Sequence, residues 1–220
     1  MIGDESDDRT RLAVTREIEW DPRISGHAVA VDAHDGAITL SGGVHNYSER
    51  LAAVRAAERV YGVRVVTDEI AVNLPDSDSR EDEDISEEIT RVMKWSSAIP
   101  DAVKADVSHG LITLRGTVEW AFQSIEAERA IRYLAGVRGV NNMIAVKSTH
   151  PRASDVRESV HEAIARMADV DARSVWVTSS DGTVHLKGHV HSLAQWRSAG
   201  RAAASAPGME NVVNDIVITP

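Results

Sequence analysis

Three histidines, His185, His189 and His191, fall at alternating positions of one extended-looking segment. Residues two apart in a strand face the same side, and imidazoles so placed could hold a metal. The corresponding positions elsewhere in the chain are Thr39, Gly43 and His45, and Thr113, Thr117 and Glu119. A ligand set is therefore not repeated, and an exposed polar face, more cationic at mildly acidic pH, is the expected reading. Large apolar side chains form a second set: Tyr47, then Trp120 and Phe122, then Leu193 with Trp196, each at the entry to a helix. They could be a contact patch for a membrane interface or a protein partner, or they could staple the helix and pack between units. Trp20 and Trp95 share one register, and core or inter-unit packing is expected for both. Catalytic chemistry finds no support. The chain has no cysteine, which removes thiolate metal sites and thiol nucleophiles. No G-x-S-x-G, P-loop, G-x-G-x-x-G or H-E-x-x-H sequence occurs. The expectation is a protein that is not an enzyme, with no catalytic residue, cofactor or metal.

The elements that must position these residues come from a composition suited to a packed core. Of 220 residues, 43% are hydrophobic and only 4% aromatic, so Val, Ile, Leu and Ala must build the interior. The net charge of −10 is unevenly spread: residues 1–8 carry −4 and residues 76–84 carry −5. The remainder is close to neutral, and no basic face for nucleic acid stands out. No apolar run approaches a membrane span. Residues 1–8 show neither the basic n-region nor the apolar h-region of a secretory signal. That sets the expectation of a cytoplasmic protein, or a periplasmic one should a leader precede this sequence.

Internal repetition organises the chain. Gly36-Ala37-Ile38-Thr39-Leu40-Ser41-Gly42, Gly110-Leu111-Ile112-Thr113-Leu114-Arg115-Gly116 and Gly182-Thr183-Val184-His185-Leu186-Lys187-Gly188 share one pattern. Each is followed at constant spacing by a glycine (Gly62, Gly136, Gly208), a valine (Val66, Val140, Val212) and an isoleucine (Ile70, Ile144, Ile216). Each unit opens with an amphipathic helix, as Ile85, Ile89 and Met93 indicate, with Asp84 as a plausible N-cap. A hairpin follows, turning at Asp35-Gly36, His109-Gly110 and Asp181-Gly182, where glycine supplies positive φ. Gly42, Gly116 and Gly188 sit late in the second strand, where glycine marks a bulge or a close backbone approach. A second helix buries a narrow face, Ala53, Ala56 and Ala57 in the first unit, Ala127, Ala130 and Ile131 in the second, and Ala199, Ala202 and Ala203 in the third. A last strand completes α-β-β-α-β. The fold class expected is α+β, three tandem modules, each a three-stranded sheet packed by two helices. The boundaries are an acidic tail at 1–8, modules at 9–74, 84–147 and 154–220, an acidic linker at 75–83 and a second linker at 148–153.

The hairpin motif, the Ala-rich helix and the ending Gly136-Val137-Arg138-Gly139-Val140-Asn141-Asn142-Met143-Ile144-Ala145-Val146 resemble the BON (bacterial OsmY and nodulation) domain. The three-unit layout without a leader is similar to OsmY-like BON-repeat proteins. The resemblance implies a non-enzymatic binding or scaffold protein of osmotic or general stress, engaging phospholipid surfaces or envelope-associated partner proteins. Two alternatives stay open: a cytosolic ion-responsive sensor of the potassium type, and a structural self-associating module.

Overall fold

The computed structural model describes residues 2–24, 29–147, 156–167, 170–180, 183–205 and 211–219. The first repeat contains α1 (Ile2–Glu19), β1 (Val29–His34), β2 (Ala37–Val44), α2 (Tyr47–Arg59) and β3 (Val65–Val72). The second contains α3 (Asp82–Trp95), β4 (Lys104–Ser108), β5 (Leu111–Val118), α4 (Ala121–Ile131) and β6 (Gly139–Val146). The third contains α5 (Val156–Ala165), a short 3-10 turn (Ala172–Ser174), β7 (Val175–Ser180), β8 (Thr183–Val190), α6 (Leu193–Ala204) and β9 (Asn211–Ile218). Each repeat has its own three-stranded sheet with the second strand at the centre. The hairpin strands pair antiparallel, and in the second and third repeats the last strand returns parallel to the central one. This is the α-β-β-α-β order expected from the repeat.

The chain divides into two compact units, one of residues 1–42, 52–70 and 150–220 and the other of residues 43–51 and 71–149. In the first unit, Val14, Ile18, Ile38, Leu40, Val63 and Ile70 of the first repeat are buried, with Ala53, Ala56 and Ala57 fully so. The third repeat buries Val160, Ile164, Val184, Leu186, Ala199, Ala203 and Ile216 in one cluster. In the second unit, Ile85, Ile89, Ile112, Leu114, Ala127 and Ile131 are all at most 2% exposed. Each of the larger aliphatic side chains contributes about 1.5–3 kcal/mol by leaving water. Alanine on the second helix lets that helix lie close to the sheet, which is why the small-residue face recurs.

The first two hairpin turns are of the type in which both central residues have positive φ. Asp35 and Gly36 have φ of 47° and 74°, and His109 and Gly110 have 53° and 74°. The Asp181-Gly182 turn, Gly208 and the linker at 148–153 lie outside the described residues. Gly116 and Gly188 have φ of 140° and 128°. A Cβ at Gly188 would stand 2.0 Å from the Ser174 carbonyl oxygen. The close approach expected of this glycine is therefore real.

Three expectations need correction. Residues 2–8, expected as a tail, belong to α1. Acidic residues at a helix N-terminus complement its dipole, and the Asp7 carboxylate accepts the Asp35 backbone N–H at 3.0 Å. Asp84 is not the N-cap of α3, which begins at Asp82 after Glu81. Asp82 instead reaches the hairpin turn, accepting the N–H groups of His109 at 2.7 Å and Gly110 at 2.9 Å. Those two backbone bonds hold its carboxyl below the usual aspartate range. Third, Trp20 and Trp95 are not packed: they are 85% and 87% exposed. Each lies two residues beyond an inward-facing position, Ile18 or Met93, and two residues turn a helix by roughly 200°.

Candidate contact surface

In every repeat a Glu or Gln at the third position of the second helix accepts backbone N–H groups just ahead of that helix, and this device positions most of the aromatic set. Asn46 accepts the Glu49 N–H at 3.0 Å, while the Glu49 carboxylate receives the Asn46 side-chain amide at 2.8 Å and the His45 N–H at 3.4 Å. Gln123 accepts the Glu119 and Trp120 N–H groups at 3.2 and 3.0 Å. Ser192 accepts the Gln195 N–H at 3.3 Å, and Gln195 accepts the His191 N–H at 2.8 Å. In the first and third repeats these are reciprocal caps, a polar residue followed by Glu or Gln at the third helical position; in the second, where Trp120 holds the cap position, only the Gln123 half is formed. That spacing is visible as Asn46…Glu49 and Ser192…Gln195, and sequence reasoning passed over it.

The caps divide the predicted contact residues. Tyr47 and Leu193, each the first residue of its helix, are buried at 9% and 7% exposure. Trp196 is half-buried against the third repeat's core, and Trp120 is half-buried at the start of α4. Tyr47, Leu193 and Trp196 are thus turned inward, and Trp120 is half covered. Phe122 remains exposed, beside Ile125 three residues along α4. To it are added Trp20, Trp95 and Trp176, which are the exposed tryptophans among the described residues. Trp20 and Trp95 occupy equivalent places, just where the first helix of each repeat ends. The repeat register carried that signal, but not which side of the helix they face.

Next to Trp20 the chain is braced by Asp21. This carboxylate is 7% exposed and receives the Arg23 side chain at 2.8 and 2.5 Å. Arg59 stands 3.8 Å away. The bond from Arg23 is the main reason its pKa falls to about 2, against the smaller opposing effect of burial. The last strands carry a second brace, the Asp or Asn at the matching positions 68, 142 and 214. Asn142 donates to the Ser124 carbonyl at 3.1 Å and accepts the Ile144 N–H at 3.2 Å. Asn214 donates to the Trp196 carbonyl at 3.0 Å and accepts the Ile216 N–H at 3.4 Å. Asp68 accepts the Ile70 N–H at 3.1 Å. In the second and third repeats the amide ties strand to helix.

The histidines do not converge. His189 and His191 meet edge to face with ring centroids 6.4 Å apart, a stacking distance rather than a shared-metal one. His191 Nδ1 is 3.2 Å from the Thr219 carbonyl oxygen, and its ring lies 5.5 Å from Tyr61. Among the described residues no group of three His, Cys, Asp or Glu side chains could hold a metal. Among them, too, no helix is long and apolar enough to cross a membrane.

Within the first compact unit, the first and third repeats meet around these rings. The Gly62 N–H donates to the His191 carbonyl at 3.1 Å. Arg197 on α6 stands 2.5 Å from the Glu58 carboxylate on α2. Glu58 is only 5% exposed. Burial raises its pKa above the ordinary glutamate value, and Arg197, Arg201 and Arg55 offset that only in part.

The BON domain matches three times, over residues 6–73, 81–148 and 152–220. Osmotically-inducible protein Y of Escherichia coli (strain K12) is 32% identical over 122 residues, covering 52% of this chain. The match spans 60% of that relative's length. Two structures of CdsD, a structural protein of the type III secretion system of Chlamydia trachomatis, align over 95% of this chain and 91% and 96% of their own. Their identity is 14% and their TM-score 0.27.

Proposed function

The chain belongs to the BON domain family, and from that premise we propose that it is a non-enzymatic, osmotic-stress binding protein that engages phospholipid surfaces through its exposed aromatic side chains. The observation that carries this reading is the near-complete exposure of Trp20 and Trp95 at equivalent places in two repeats. An indole has an apolar body and one N–H, and it favours the boundary between headgroup and hydrocarbon. Leaving two such rings in water has no benefit to the core, and each is held at the end of a helix whose opposite side is buried. Phe122 and Ile125 supply a further apolar pair on α4. The relative induced by osmotic stress supports the physiological setting.

Charge shapes the expected affinity. With the repeats near neutral and the acidity concentrated at residues 1–8 and 76–84, electrostatic attraction to anionic lipid is weak. Binding should then depend mainly on apolar insertion and change little with salt. Co-sedimentation with vesicles of phosphatidylcholine, with and without phosphatidylglycerol, tests this. The full chain is expected in the pellet with both. The W20A/W95A double variant is expected to lose at least about ten-fold in partitioning, roughly the effect of removing 1.4 kcal/mol. Absence of the wild-type chain from both pellets would remove the lipid reading and leave an envelope-associated protein as the partner to seek.

A further inference from the structure

The three hairpins leave their first strands, β1, β4 and β7, at the edge of each sheet. An edge strand presents unpaired backbone groups, and proteins commonly guard it with charge. The first two edges are guarded. β1 carries exposed Asp32 and His34, and β4 carries exposed Lys104 and Asp106. β7 reads Val175-Trp176-Val177-Thr178-Ser179-Ser180 and has no charged residue. Register makes the comparison residue by residue. Trp176 pairs with Lys187 just before Gly188, as Lys104 pairs with Arg115 just before Gly116. Thus Trp176 and Thr178 stand where the second repeat has Lys104 and Asp106.

The space beside these strands differs in the same sense. Between α3 and β4 a groove of about 180 Å³ is lined by Thr90, Val103 and Lys104 among others. At the equivalent place between α5 and β7 the groove is about 590 Å³, lined by His161, Arg173 and the consecutive residues Val175, Trp176, Val177 and Thr178. Four consecutive residues of one strand can border a single groove only if it runs along the strand's edge, since alternate side chains leave opposite faces. Val175 and Val177 are buried in the core while Trp176 is 60% exposed. The groove therefore opens on the backbone of β7.

We propose that β7 is a self-association edge, pairing antiparallel with β7 of a second copy to join two three-stranded sheets into one of six strands. In a hairpin the residues opposite one another alternate between bonded and non-bonded pairs. With Ser180 and Thr183 closing the two-residue turn, Val175, Val177 and Ser179 direct their N–H and C=O groups away from β8. Two copies related by a two-fold axis at Val177 match these groups in about six hydrogen bonds. The same register sets Trp176 of one copy against Thr178 of the other on the exposed face, an aromatic–β-branched pair of the kind that stabilises sheets. A second copy suits this edge because the strand is neutral. No like charges meet within the paired segments, and no charged side chain of β7 has to be brought into the seam. Isologous pairing closes after two copies, giving a dimer and no filament.

This inference is independent of the lipid reading and is tested without lipid. Light scattering on the eluting full chain, across a concentration series reaching the millimolar range, should show conversion to twice the monomer mass. The W176K/T178K variant, which sets lysine against lysine across the two-fold axis, should stay monomeric with unchanged circular dichroism. Amide exchange in the wild-type chain should slow at Val175, Val177 and Ser179 as concentration rises, a readout that needs no variant. A wild-type chain that is monomeric throughout overturns the proposal. So does concentration-independent exchange at those three amides, or a dimer that persists in W176K/T178K, as one formed through the uncharged β6 edge would.

Discussion

Gly188 shows how a single missing atom can hold a repeat together. Its φ of 128° belongs to glycine, and a Cβ would lie 2.0 Å from the Ser174 carbonyl. Backbone strain and the clash act together there, each of the order of 1–3 kcal/mol. G188A is therefore expected to lower the unfolding free energy by at least about 2 kcal/mol, read as a shift in the urea midpoint with the slope unchanged. Sequence spacing exposed this position because glycine recurs there in all three repeats. It did not expose the side of the helix taken by Trp20 and Trp95. Periodic alignment told that the two are equivalent, but a residue at a helix end need not continue the buried stripe. Their positions two residues past Ile18 and Met93 carry them round to solvent.

Between elements, the decisive contacts are made by polar side chains that hydropathy patterns cannot see. Asn214 joins β9 to α6 through the Trp196 carbonyl and also caps its own strand at Ile216. N214A removes both bonds from a half-buried site and is expected to cost about 1–2 kcal/mol, measured by denaturant unfolding. N142A should match it in the second repeat, where Asn142 also reaches Glu128 at 3.3 Å. Strand order, the hairpins and the Ala-lined helix were legible because they follow from alternation and i, i+3, i+4 spacing. The helix starts were less so. Asp7 and Asp82 look like spacer acids in the sequence, yet they bind the N–H groups of hairpin turns far along the chain. Burial of Tyr47 and Leu193 likewise depends on the caps at Asn46 and Ser192, which tilt the helix entry toward the core.

Across the whole molecule, repetition explains most of the fold, and the departures from it point to function. Glu58 and Arg197 lie in different repeats, so no local pattern announces their pairing, and it is the buried charge at the joint within the first compact unit. Because the folded-state pKa of Glu58 is raised, its contribution to stability is fully present below the unfolded glutamate value. It is lost as pH rises through the folded value, where the carboxyl must ionise in a dry site. E58Q is expected to flatten stability between mildly acidic and neutral pH, checked by thermal unfolding across that window. The functional proposal rests on the other departure, aromatic rings left in water by a chain with few of them. Single-tryptophan variants that keep only Trp20, only Trp95 or only Trp196, mixed with vesicles containing lipids brominated along the acyl chain, give the most direct measurement. Quenching of Trp20 and of Trp95, with Trp196 unquenched, is the predicted result; fluorescence from Trp20 and Trp95 that the brominated vesicles leave unchanged would contradict it.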